Sequence, residues 1–299
     1  MRKPRKERRF LFTSFAVGFN GLMKSLKEER IEGQAVSALP VGGGLSTSRV
    51  ENVGCEEFVS IKSLESFAAG RKVLHPDGSG TRIAQSTASA TLNGFNMLNV
   101  FRAGYVSSRV AVDYPDNGED PEITTLGTGF DDLWIAGRRV EIEYHEALYG
   151  LKKFSDLARK ENVEAVKLLS DCWTADRADR KAMDKPDSAG DNPGRGLKFD
   201  GLAKYDKNLV RERMKALRVA GPIAVSIVKQ VHGLPSGVEV EPYPRQHVLH
   251  VPGFGEINLG ETIFTPTSRR LTMMRFDLGC THGGCGCSGD VCGDGSWHP

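Results

Sequence analysis

The chain has 299 residues, with 40 Lys and Arg against 38 Asp and Glu, for a formal charge of +2. That balance argues against a dedicated nucleic-acid binder, and no stretch approaches the ~20 apolar residues of a membrane-spanning helix. Apolar residues at 39% and 34 glycines describe a Gly-rich globular protein with enough apolar material for a core.

The charge is unevenly placed. Residues 1–30 hold nine Lys and Arg against three Glu, so the rest of the chain is net acidic. The basic block Arg2–Arg9, followed by the apolar run Phe10–Met23, begins like a secretory signal. Asn20 and Gly21 interrupt the run, and no small-x-small cleavage site follows it directly. Residues 1–54 are therefore expected to form a basic, largely irregular arm. Basic residues beside Phe and Leu suit anionic headgroups, which adds an expected weak contact with a membrane surface. Localisation hangs on this segment: extracellular or cell surface if it is a signal, cytoplasmic otherwise. The triple glycine Gly42–Gly44 is not a phosphate loop, because no Gly-Lys-Ser/Thr follows it.

From residue 55 to 145 the pattern predicts strands, a first β half. Thr81–Leu92 alternates with period two, and Tyr105–Tyr114 is dominated by β-branched and aromatic residues. Pro115-Asp116-Asn117-Gly118 is the strongest turn signal, since Asn-Gly accepts positive φ. Leu133–Gly137 and Arg139–Tyr144 continue the sheet, with Trp134 expected in the core. Residues 146–220 change period. Leu151, Phe154, Leu157, Ala158, Ala165, Val166 and Leu169 recur three and four apart, predicting an amphipathic helix. A polar stretch at 174–200 predicts a mobile loop, and Lys207–Val219 a second helix with Val210, Met214 and Leu217 on one face.

Residues 221–279 return to β, the second β half. Gly221–Val231 predicts one strand, Val248–Phe264 two short strands about a glycine bend, and Arg270–Leu278 an alternating strand. Residues 280–299 form a Cys/Gly-rich tail. The order β, α, β predicts a mainly β protein, an antiparallel β-sandwich or roll with a helical insertion.

Two sets of segments carry a family likeness. One is Ala88–Val100, Val106–Val112 and Gly129–Gly137; the other is Val251–Glu261 and Leu271–Gly279. Together they resemble bacterial surface-anchored β-domains of the choice-of-anchor type. That resemblance implies a β-sandwich on a cell surface and no catalytic residues. The chain departs from the family in lacking a clear signal and a sorting tail, and in carrying the helical insertion.

Six cysteines are present, four of them within 13 residues: Cys280, Cys285, Cys287 and Cys292, spaced C-x4-C-x-C-x4-C. Four thiolates around one structural Zn²⁺, or two disulfides stapling a small tail, are the competing expectations. Other constellations mostly fail. His145-Glu146 lacks the second His a zincin needs, because position 149 is Tyr149. His247 and His250 lie three apart in a strand-like segment and so on opposite faces. Asp113, Asp116, Asn117, Glu119 and Asp120 do not match a calcium loop and are explained by a hairpin. No Gly-x-Ser-x-Gly elbow occurs, and Cys172 has no partner His in sequence. The expected function is a non-enzymatic β-rich structural, assembly or adhesive protein that self-associates through sheet edges. The alternatives are a metal-binding module built on the four cysteines, and an enzyme, perhaps a hydrolase, with its site assembled from distant residues. A concave pocket gathering His and carboxylates would favour the last.

Overall fold

Period-two burial turns most of the chain into strands. The computed structural model describes residues 8–24, 28–55, 58–76, 78, 80–183, 207–278 and 284–298. The first strands are β1 (Arg9–Phe12), β2 (Phe15–Lys24), β3 (Glu28–Ala38) and β4 (Gly44–Cys55). Next come β5 (Val59–Leu74), β6 (Arg82–Met97), β7 (Phe101–Pro115), β8 (Glu122–Thr124), β9 (Gly129–Ile135), β10 (Arg138–Arg139) and β11 (Glu141–Tyr144). Helices α1 (Glu146–Tyr149), α2 (Val163–Met183) and α3 (Lys207–Val219) follow. Strands resume with β12 (Ile223–Ser226), β13 (Val228–His232), β14 (Glu239–Val240), β15 (Val248–Val251) and β16 (Gly255–Phe264). The last are β17 (Arg269–Leu278), β18 (Gly284–Gly293) and β19 (Gly295–His298).

The strands form a mainly β, antiparallel sandwich with a helical insertion. Sheet I runs β10-β9-β7-β6-β5-β4, with β8 on β7. Sheet II runs β14-β15-β16-β17-β18-β2-β3, with β12 on β16. Both sheets bury one face in a common core. At its centre Phe95 stacks on Phe276 at 5.7 Å between ring centroids, with Phe101 edge-on to both and Phe19 at 6.0 Å from Phe95. These rings come from both β halves and from the N-terminal segment, so neither half has an interior of its own.

Three expectations are corrected. The irregular arm is instead β1 to β4 over 9–24 and 28–55, and Phe10, Phe12, Ala16 and Phe19 are core residues. Residues 1–7 lie outside the described residues. The Cys/Gly-rich tail is instead β18, central in sheet II between β17 and β2, and β19, which pairs with β1. Gly293 and Gly295 are packing residues: a Cβ on Gly293 would come within 2.6 Å of both Val110 and Val112 across the core, and one on Gly295 would meet the Phe10 ring. Trp134 is only partly buried, lying under the Arg102 guanidinium at 5.1 Å.

Both sheets carry a transverse crease that the sequence does not announce. In sheet I the row Asn52, Lys62, Gly94, Gly104, Asp132 has positive φ on alternate strands: 54° at Asn52, 61° at Gly94 and 50° at Asp132. In sheet II the row Gly260, Met273, Gly289, Gly18, Ala35 repeats this, with 62° at Gly260, 64° at Gly289 and 50° at Ala35. Crossing the crease shifts the inward-facing set by one residue without changing register. In β6, Ser86, Ala88, Ala90 and Leu92 are buried before it, and Phe95 and Met97 after it. In β17, Leu271 and Met273 are buried before it, and Met274, Phe276 and Leu278 after it. Strict alternation through Asp277 is thereby corrected.

The insertion has its own apolar cluster. Leu157, Val166, Leu169, Val210 and Leu217 pack with Ile223, Val225 and Phe264 at one end of sheet II. The predicted helix at 151–169 begins only at Val163, after two short 3₁₀ turns, and runs on to Met183 through the first part of the expected loop. Residues 184–206, which hold the rest of that loop, lie outside the described residues. The second helix covers Lys207–Val219, as the spacing predicts. Entry to and exit from the insertion are clamped by β11 pairing with β13, extended by the His145 N–H donating to Ile227 O at 2.8 Å. The expected strand over 221–231 is two strands, β12 and β13, parted at Ile227.

Candidate functional site

The clamp at the base of the insertion forms one wall of a cleft of about 1080 Å³. The turn Leu126–Thr128, helix α1, the start of α2, Lys229 and Tyr243 complete it. Consecutive residues supply its side chains: Ile142, Glu143 and Tyr144 end β11, and His145, Glu146 and Ala147 follow at the strand-to-helix junction.

Tyrosines set the shape. Tyr144 Oη accepts the Phe130 N–H at 3.1 Å, and the Tyr149 hydroxyl donates to Thr128 O. The two rings meet edge-on, with centroids 5.6 Å apart. Burial pushes the Tyr149 phenol up to about 12, so it stays a neutral donor. Tyr243, 47% exposed, donates to Asp171 Oδ2 at 2.8 Å, and the Lys167 ammonium lies 5.9 Å from its ring centre.

The charges are largely paired. Glu143 accepts from Lys229 Nζ at 2.6 Å and lies 3.1 Å from His232 Nε2. The hydrogen bond from Lys229, then that from His232, holds the Glu143 carboxyl below its usual range, and Glu143 in turn raises Lys229. Burial, reinforced by the Lys229 charge, lowers the His145 imidazole, which is neutral near pH 7. The Thr128 hydroxyl is engaged by the Arg109 backbone on both sides. The cleft therefore offers ring faces, acceptors and ammonium groups.

A smaller cavity of about 220 Å³ lies between α2 and sheet II. It brings together Cys172, His247 and Asn258. Burial, then the Asp171 charge, pushes the Cys172 thiol up to about 12, which leaves it protonated and unreactive. His247 is 8% exposed with Nδ1 unpartnered among the described residues, and burial drives it down to about 3. His250 is exposed in β15, whereas His247 lies in the turn just before that strand.

The remaining candidates are placed as follows. Cys280 lies outside the described residues, while Cys285, Cys287 and Cys292 occupy β18. Cys292 is a free thiol, raised to about 11 by burial. Cys285 and Cys292 stand seven positions apart along β18, roughly 23 Å of extended backbone. At the 116–120 turn, Asp116 accepts from Arg82 N–H, Asn117 from Glu119 N–H, and Asp120 from Ser155 N–H and Arg218. Protein donors thus engage Asp116, Asn117 and Asp120 of the five oxygen-bearing residues in this region. Trp297 packs onto the domain, 5.1 Å from Phe10, and its indole N–H donates to Tyr114 O.

Sequence reasoning used Tyr149 only to reject a zincin and passed over Tyr243. The available signal was the density of Tyr, His and Glu over 143–149 where the period changes. A family model described as Domain of unknown function (DUF8256) matches residues 10–265. No curated protein and no solved structure matches the chain.

Proposed function

The chain belongs to the DUF8256 family, a domain of unknown function, and from that premise we propose that it is a non-enzymatic β-sandwich with an adhesive role, holding a saccharide in the Tyr144–Tyr149–Tyr243 cleft. The observation that carries this is the pairing of ring faces with fixed polar groups in one concave site. A pyranose has C–H faces that rest on aromatic rings and a hydroxyl rim that needs donors and acceptors. Glu146, Glu164, Lys167 and Lys229 supply that rim. The edge strand β4 supports self-association alongside adhesion, since among the described residues only β5 pairs with it along its twelve residues. Arg49, bound to Glu51 at 2.7 Å and Glu65 at 2.9 Å, places charge on that edge and restrains indiscriminate pairing.

The test is saturation-transfer NMR of the full chain with a panel of neutral and acidic oligosaccharides. Transfer to at least one sugar is expected, with Tyr243→Ala weakening it at least about ten-fold, because Tyr243 is half exposed and its ring is not core. Silence across the panel removes the proposal. A hydrolase is the second reading, favoured by one observation: neutral His145 shares the cleft with Glu146 and Glu164. Reducing ends released from a bound oligosaccharide, and lost in His145→Gln, would establish it over adhesion.

A further inference from the structure

On the outer face of sheet II, strand register builds a different cluster. His250 in β15 stands directly opposite Glu256 in β16, and Glu241 is drawn alongside by its N–H to Val248 O at 3.0 Å. One ligand atom from each of Glu241, His250 and Glu256 falls within 4.8 Å of the others. We propose that these three residues bind one divalent transition-metal ion.

Two independent features point the same way. First, each carboxylate is oriented by a neighbour. Asn258 Nδ2, on a residue that is 2% exposed, donates to Glu256 Oε1 at 2.6 Å, and Arg245 Nε meets Glu241 Oε2 at 3.2 Å. Glu241 Oε1 then faces His250 Nε2 at 3.3 Å. Fixing one carboxylate oxygen so that the other is aimed at a common point is what supporting residues do around a metal. Second, the register places Glu256 directly opposite Asp277 in β17. Like charges directly opposite on adjacent strands destabilise a sheet, and a cation at the row removes that cost.

The donor set defines the ion class. One imidazole with two carboxylates suits Zn²⁺, Mn²⁺ or Co²⁺ better than the all-oxygen shells of Ca²⁺ or Mg²⁺. Three protein ligands leave a coordination position for water, unlike a closed structural zinc. The same backbone row continues from Asp277 to Cys285, so the experiment must separate this site from the cysteines.

Co²⁺ alone is titrated into the full-length chain under reducing conditions and read by visible d–d absorption, with Zn²⁺ followed by calorimetry. One ion per chain is expected, without a thiolate-to-cobalt charge-transfer band. His250→Ala and Glu256→Gln, both on the outer face, should each weaken binding at least about ten-fold while circular dichroism stays unchanged. Replacing Cys280, Cys285, Cys287 and Cys292 together by Ser should leave binding intact. A strong thiolate band, undiminished binding in the His250→Ala/Glu256→Gln double variant, or no binding at roughly millimolar metal would each overturn the site.

Discussion

The two sheets face one core but are assembled differently. Sheet I is a near-continuous meander: β4, β5, β6 and β7 pair with their sequence neighbours, and β9 and β10 complete the order. Sheet II is stitched from the two ends of the chain, with β2 from residues 15–24 set beside β18 from residues 284–293. The difference teaches that local patterning suffices where pairing is local. Where partners are some 270 residues apart, a strand with weak patterning of its own is held in place by neighbours on both sides. That is why β2, expected as part of an irregular arm, and the glycine-rich β18 occupy the middle of sheet II.

Removing residues 1–24 should break this asymmetry most. It deletes β1 and β2, leaving β18 and β3 without their shared neighbour, and cooperative urea unfolding followed by circular dichroism should disappear. Deleting only the edge strand β14, Glu239–Val240, should leave a cooperative transition. Phe276→Ala comes next, because that ring contacts Phe95 and Phe101 from sheet I. A loss of about 3–5 kcal/mol is expected in the same titration; less than about 1 kcal/mol would mean the sheets do not share the core.

The third effect is a pH slope confined to sheet II. His247 titrates at about 3 in the folded chain against an ordinary 6.5, chiefly through burial. Between those values the unfolded chain binds the extra proton. His247 therefore adds stability that is fully present above about 6.5 and is lost as pH falls toward 3, by at most about 1.4 kcal/mol per unit. His247→Gln should flatten that part of the stability–pH curve, and an unchanged slope would assign the acid sensitivity to other groups.

The smallest effects sharpen the comparison at the crease. Gly94→Ala in sheet I and Gly289→Ala in sheet II each force an L-residue to positive φ, and about 1–2 kcal/mol should be lost in each. Ala35→Gly should do the opposite, gaining about 0.5–1 kcal/mol once the extra freedom of the unfolded glycine is set against relief of strain. If Ala35→Gly destabilises, the left-handed backbone at residue 35 is not strained.

Much of the sandwich is legible from residues. The alternation of Glu141–Tyr144, the Asn117-Gly118 turn and the three-and-four spacing of Val210, Met214 and Leu217 act through neighbours within a few positions. The crease is not, because Asn52, Asp132 and Ala35 are individually unremarkable residues whose φ is set by the strands beside them. The cleft is half legible. Tyr144, His145 and Glu146 are adjacent in sequence, but Thr128, Lys167, Lys229 and Tyr243 reach it from four other segments.

What the sequence alone determined was the β, α, β order, the second helix and the general form of a sandwich, since periodicity and turn chemistry are short-range properties. Only the tertiary structure decided that β2 and β18 are interior strands of sheet II, that glycines such as Gly293 serve close approach rather than looseness, and that Glu241, His250 and Glu256 converge. Those outcomes depend on burial between sheets and on cross-strand register, and both bring together residues that no local pattern connects.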